Sequence, residues 1–221
     1  MKKTPLVLAA LLLASSAAFA DTTYDNSASV NDSISSFGNP NTATYGETFS
    51  APVSDTTLNS FSLFLNQGSI SGQLEGYIGT WTGSAAGSIL YTSSPVTVTG
   101  SNQEFTFNTG GLSLLSGGEY VAFLSISGGG YADFSGSTSM PGVDSTGSIP
   151  GGAFVYLNNS GDTSQFTSGT WSTYSVADAQ FIADFSSEAP PVPEPSSLLL
   201  FGTGLVGLAG ALRRRYARQR V

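Results

Sequence analysis

Ser60-Phe61-Ser62-Leu63-Phe64-Leu65 alternates along its whole length, with Phe61, Leu63 and Leu65 on one face. A period of two belongs to a half-buried strand, not to a helix. The same pattern recurs outward from this stretch, over residues 45–49 upstream and 74–81, 89–91, 95–99 and 104–107 downstream. Residues 119–126 carry Tyr120, Ala122, Leu124 and Ile126 against Val121 and Phe123, so both faces of that strand are largely apolar. Residues 154–157 and 181–185 read the same way. Turn-forming pairs such as Gly110-Gly111 and Gly117-Gly118 separate these runs, and no helical stripe appears between 21 and 189. About nine to eleven short strands at this spacing predict an all-β fold, an antiparallel β-sandwich of jelly-roll type. Residues 127–152, punctuated by three consecutive glycines and by Pro141 and Pro150, read as the longest irregular loop.

The 221 residues divide by composition. Residues 1–20 form an export signal, 21–186 the β domain, 187–191 a short Pro-containing linker and 192–221 a C-terminal tail. A domain of this length buries enough surface to fold without staples, and the chain has no cysteine. Charge is the most selective feature. All 7 Lys and Arg residues lie at positions 2, 3, 213–215, 218 and 220, and 14 of the 15 acids lie between 21 and 189. A domain with that balance repels phosphate, so nucleic acid is excluded as a partner. It also contains no internal salt bridge to a basic side chain, and its stability must come from apolar burial and hydrogen bonds.

The same census restricts chemistry. With no His, Cys, Lys or Arg between 21 and 189, there is no imidazole base, thiol nucleophile, Schiff-base amine or arginine clamp. Only a carboxylate pair would remain, as in glycoside hydrolysis. The glutamates at 47, 75, 104 and 119 are scattered singly and read as solvated outer-face residues, so the chain is expected not to be an enzyme. No cofactor is expected either. Asp25, Asp32 and Asp162, each near asparagines, are weak candidates for a structural calcium because the ion takes hard oxygen donors; ordinary Asx-turn chemistry is the favoured reading of them. Tyr77, Trp81, Tyr91, Tyr131, Trp171 and Tyr174 are candidate stacking platforms for sugar rings, or core aromatics.

Both ends carry membrane signals. Lys2-Lys3, the apolar run 6–13 and Ala18-Phe19-Ala20 form the charged, apolar and small-residue regions of a cleavable signal peptide, with cleavage after Ala20. At the other end, Pro193-Glu194-Pro195 precedes the uncharged segment 196–212, followed by Arg213-Arg214-Arg215. Seventeen helical residues span roughly 25 Å at about 1.5 Å each, which sits at the short end of membrane-crossing lengths. The arginines behind them place the C-terminus in the cytoplasm. A short motif, an apolar helix and an arginine stop, in that order, closely resemble the PEP-CTERM sorting signal of Gram-negative bacteria. The resemblance implies that Pro193, Glu194 and Pro195 are the element recognised by an exosortase, a membrane-embedded processing enzyme. It also implies a precursor exported by the Sec machinery, held transiently in the inner membrane, then passed to the cell surface or the exopolysaccharide matrix. More loosely, residues 45–52 and 151–158, Trp171 and residues 181–185 are similar to β-rich modules that precede this tail in other family members.

The expectation is therefore an exported surface or matrix protein, structural or adhesive in a biofilm-like setting. A glycan-binding module is the alternative, and a carboxylate-only glycosidase a distant third.

Overall fold

The computed structural model describes residues 21–40, 42–126, 131–144, 147–174, 178–187, 204 and 212–216. Its first strands are β1 (Thr22–Asp25), β2 (Asp32–Asn39), β3 (Thr44–Ser50), β4 (Thr57–Leu65) and β5 (Gly72–Trp81). They are followed by β6 (Ala86–Thr92), β7 (Val96–Val98), β8 (Gln103–Ser113), β9 (Glu119–Ser125) and β10 (Gly136–Val143). The last are β11 (Ala153–Leu157), β12 (Ser172–Thr173), β13 (Asp178–Ala179) and β14 (Phe181–Ser186). One turn of helix, α1 (Gln165–Ser168), sits between β11 and β12.

The strands form three sheets, ordered β1-β14-β4-β8, β13-β10-β2 and β12-β11-β3-β9-β5-β6, with β7 also paired to β5. Each named pair is antiparallel. The protein is mostly β, and the sequence periodicity explains how its faces divide. In β4, Phe61, Leu63 and Leu65 are buried. In β14, Phe181, Ala183 and Phe185 are buried while the residues between them are half exposed. Phe49 of β3 joins the two larger sheets, stacked on Phe181 at 5.6 Å and tilted against Phe185 at 5.9 Å between ring centroids. Burial of such side chains, worth about 1.5–3 kcal/mol each, is the main stabilising term in a domain without basic residues. A second cluster, on the other face of the largest sheet, gathers Tyr77, Phe123, Phe166 and Trp171. There Tyr77 and Phe123 stack 4.8 Å apart, and the Trp171 indole N–H donates to the Phe166 carbonyl at 3.0 Å.

One expectation is corrected, and one strand was missed. The segment 127–152 is not one irregular loop, because β10 runs through it and pairs with β2 and β13. Its Gly, Ser, Thr and Pro content hid a strand that buries Thr138, Met140, Gly142 and Val143. Pro141 still contributes its acceptor, its carbonyl accepting the Gln180 backbone N–H at 2.8 Å. β2 was equally invisible, since only Ile34 and Phe37 mark its buried side among serines and glycine.

The signal helix over 1–20 and most of the apolar segment 196–212 lie outside the described residues. Among the described residues, no helix is long and apolar enough to cross a membrane. The chain divides into two compact units, Met1–Glu188 and Ala189–Val221.

Candidate functional site

Three places in the chain carry candidate function: a buried carboxylate pair, an aromatic pocket and the tail. The pair begins with Glu47. It lies mid-strand in β3, between β9 and β11, opposite Ala122 and Phe154. Alternation puts it on the same face as Tyr45 and Phe49, so it points into the core rather than to solvent, and its exposure is 0%. This overturns the reading of Glu47 as an outer-face residue; Glu104 and Glu119 are exposed as expected. Asp178, in β13, is also 0% exposed. Glu47 Oε2 accepts the amide of Ala179 at 2.7 Å. With both groups ionised, Glu47 Oε1 and both Asp178 oxygens would have no hydrogen-bond partner.

A proton held between the two carboxyls relieves that conflict for Glu47 Oε1 and one Asp178 oxygen. Burial, and then the charge of Asp178, push Glu47 well above the usual carboxylate range. Asp178 is also raised by burial, while the hydrogen bond from Glu47 and the nearby amides of Ile149 and Ser148 pull it down. Both carboxyls are raised, so the pair retains a proton, the arrangement expected when two carboxyls share a desolvated site. The loop leading into β11 closes over them. A Cβ on Gly147 would lie 2.2 Å from Asp178 Oδ2, and one on Gly152 2.9 Å from Oδ1, so glycine is required for this approach. Neither carboxyl has accessible surface in this arrangement.

The calcium candidates stand apart from it. Asp25 Oδ1 accepts the Ser27 amide at 2.8 Å and Asp32 Oδ1 the Ser33 amide at 2.7 Å. Asp162 Oδ1 accepts the amide and hydroxyl of Ser164, and Oδ2 the Gln165 side chain; these bonds lower its pKa. All three bond to their own local backbone, as Asx turns do. Among the described residues, no group of three His, Cys, Asp or Glu side chains converges. The neighbouring asparagine Asn26 serves the fold instead: it donates to the Ala179 carbonyl at 2.7 Å and accepts the Phe181 amide at 2.8 Å.

Of the six candidate stacking aromatics, Tyr77 and Trp171 are buried, Trp81, Tyr91 and Tyr131 are half-buried, and Tyr174 alone is open, at 56% exposure. Tyr174 borders a cavity of about 190 Å³. Tyr45 of β3 and Phe154 of β11 supply its buried base, their rings edge-to-face at 5.0 Å. Tyr156 stacks on Phe154 at 6.1 Å, and Ser35, Thr42 and Asn158 add hydroxyl and amide groups. Burial pushes the Tyr45 hydroxyl up to about 12 against the opposing effect of a hydrogen bond with the Thr42 side chain, and Tyr156 and Tyr174 line the same cavity. The sequence offered no sign of this grouping, because Tyr45 and Phe154 meet only through the β3–β11 pairing.

In the tail, Arg213, Arg214 and Arg215 lie in a helical stretch, 212–216, and are exposed. Pro193, Glu194 and Pro195, and Ala18 and Ala20 at the signal cleavage site, lie outside the described residues. Residues 191–215 match the family model of the PEP-CTERM protein-sorting motif. No curated protein matches the chain. The motif marks an exported protein that is sorted through its C-terminal tail and processed by an exosortase.

Proposed function

We propose that this chain is the precursor of a non-enzymatic cell-surface or extracellular-matrix protein with a structural or adhesive role. A signal peptide ending at Ala20 directs export. The segment 196–212 holds the precursor in the inner membrane, with Arg213–Arg215 on the cytoplasmic side, until the tail is processed. The observation that carries this reading is the sorting motif at 191–215. The absence of His, Cys, Lys and Arg from 21–189 supports a non-catalytic domain, as does the sealing of Glu47 and Asp178 from solvent. The stacking of Phe49 on Phe181, which joins the four-stranded sheet to the largest one, supports a β-sandwich.

Replacing Pro193, Glu194 and Pro195 together by alanine tests the sorting step. Fractionation should then find the β domain retained in the inner membrane with its tail attached. Release equal to that of the unaltered chain would refute the reading.

A further inference from the structure

We propose that the cavity on the face of the paired strands β3 and β11, bordered by Ile34 and Ser35 of β2, is a binding subsite for one neutral sugar residue of a glycan. At about 190 Å³ it is smaller than the roughly 300–1,000 Å³ of sites that enclose drug-sized ligands, and it suits a single pyranose ring. Its chemistry is that of a polyhydroxylated, weakly apolar ligand. Six of the eight lining residues carry a hydroxyl or an amide, and none carries a charge. Buried Tyr45 and Phe154 give a preformed base, and Tyr174, at 56% exposure, offers a ring face on which the C–H groups of a sugar can stack. Aromatic rings with a polar tip suit such a ligand because one end is apolar and the other hydrogen-bonds.

Charge selects the class of sugar. An acidic sugar would meet 14 carboxylates between residues 21 and 189 and no cationic side chain. A cation would find aromatic faces and an attractive overall field, but no carboxylate lines the cavity to pair with it directly, so the cation is kept as a competing outcome of the test. A neutral sugar meets no charge penalty on entering, and its hydroxyls exchange water for the hydroxyl and amide groups of the lining. This subsite goes beyond the sorting reading and does not rest on the tail.

The test uses the full chain in detergent at moderate salt, titrated with neutral glucose and galactose oligosaccharides, with the matching uronic acid oligosaccharides, and with choline. Saturable binding of a neutral oligosaccharide is expected, unchanged by added salt. Tyr174→Ala, at an open position outside the core, should weaken that binding about tenfold, which corresponds to 1.4 kcal/mol. Uronic acid oligosaccharides should show no Tyr174-dependent binding. The proposal is overturned if no neutral oligosaccharide binds, or if Tyr174→Ala binds as tightly as the unaltered chain. Tyr174-dependent binding of choline without sugar binding would also overturn it and identify the cavity as a cation cage.

Discussion

Glu47→Gln should flatten the pH dependence of stability. In the folded protein Glu47 is held well above its ordinary value of 4.5 by burial and by Asp178. Between that ordinary value and the folded one, the native state holds a proton that the unfolded chain has released. Stability is therefore fully present below about pH 4.5 and declines as pH rises, by about 1.4 kcal/mol per pH unit for one proton. For a domain of this size that corresponds to a fall in Tm of roughly 3–6 °C per pH unit. Asp178, also raised by burial, acts in the same direction. Glutamine keeps the acceptor for the Ala179 amide and a donor for Asp178, but it cannot titrate. Its second N–H lacks a partner at a constant cost of about 1–3 kcal/mol, so the slope rather than the absolute stability is the readout. Urea unfolding from pH 4 to pH 8 should give a steeper decline for the unaltered protein than for Glu47→Gln. An Asp133→Asn control, at an exposed carboxylate, should keep the steep decline. Equal slopes for the unaltered protein and Glu47→Gln would refute the shared-proton account.

Other outcomes follow from the packing and the charge distribution. Phe49→Ala removes a fully buried ring that contacts Tyr120, Phe181 and Phe185, and should lower unfolding free energy by about 3–5 kcal/mol in a denaturant titration. Asn26→Ala leaves the Ala179 carbonyl and Phe181 amide without their partner; at about 1–3 kcal/mol for each unsatisfied group, it should lower the urea midpoint clearly. Sodium chloride should raise Tm by screening repulsion among carboxylates that have no basic partner between 21 and 189, and a Tm independent of salt would contradict this. Trypsin should leave 21–189 uncut even in urea, because the segment has no Lys or Arg; mass spectrometry of the digest checks it.

What the sequence revealed depended on how far apart the determinants lie. β4 and β14 were legible because their buried and exposed residues alternate locally, with Phe61, Leu63 and Leu65 on one strand and Phe181, Ala183 and Phe185 on the other. β10 was not, since its buried positions are filled by Thr138, Met140, Gly142 and Val143 among turn-forming residues. Glu47 looked like a solitary surface acid because its partners arrive through the fold; Ala179, which donates to it, is 132 residues away. The cavity draws on Ser35, Thr42, Tyr45, Tyr156 and Tyr174, contributed by three separated stretches. The sorting motif at 191–215 was legible because such a signal is recognised as contiguous sequence and needs no tertiary contact to be seen.

The central claim is that the chain is exported and then relieved of its tail. The intact mass of the protein recovered from the cell surface or culture medium tests it most directly. The account predicts a species that begins at Asp21 and lacks Arg213, Arg214 and Arg215. A surface species that still carries those three arginines would contradict it.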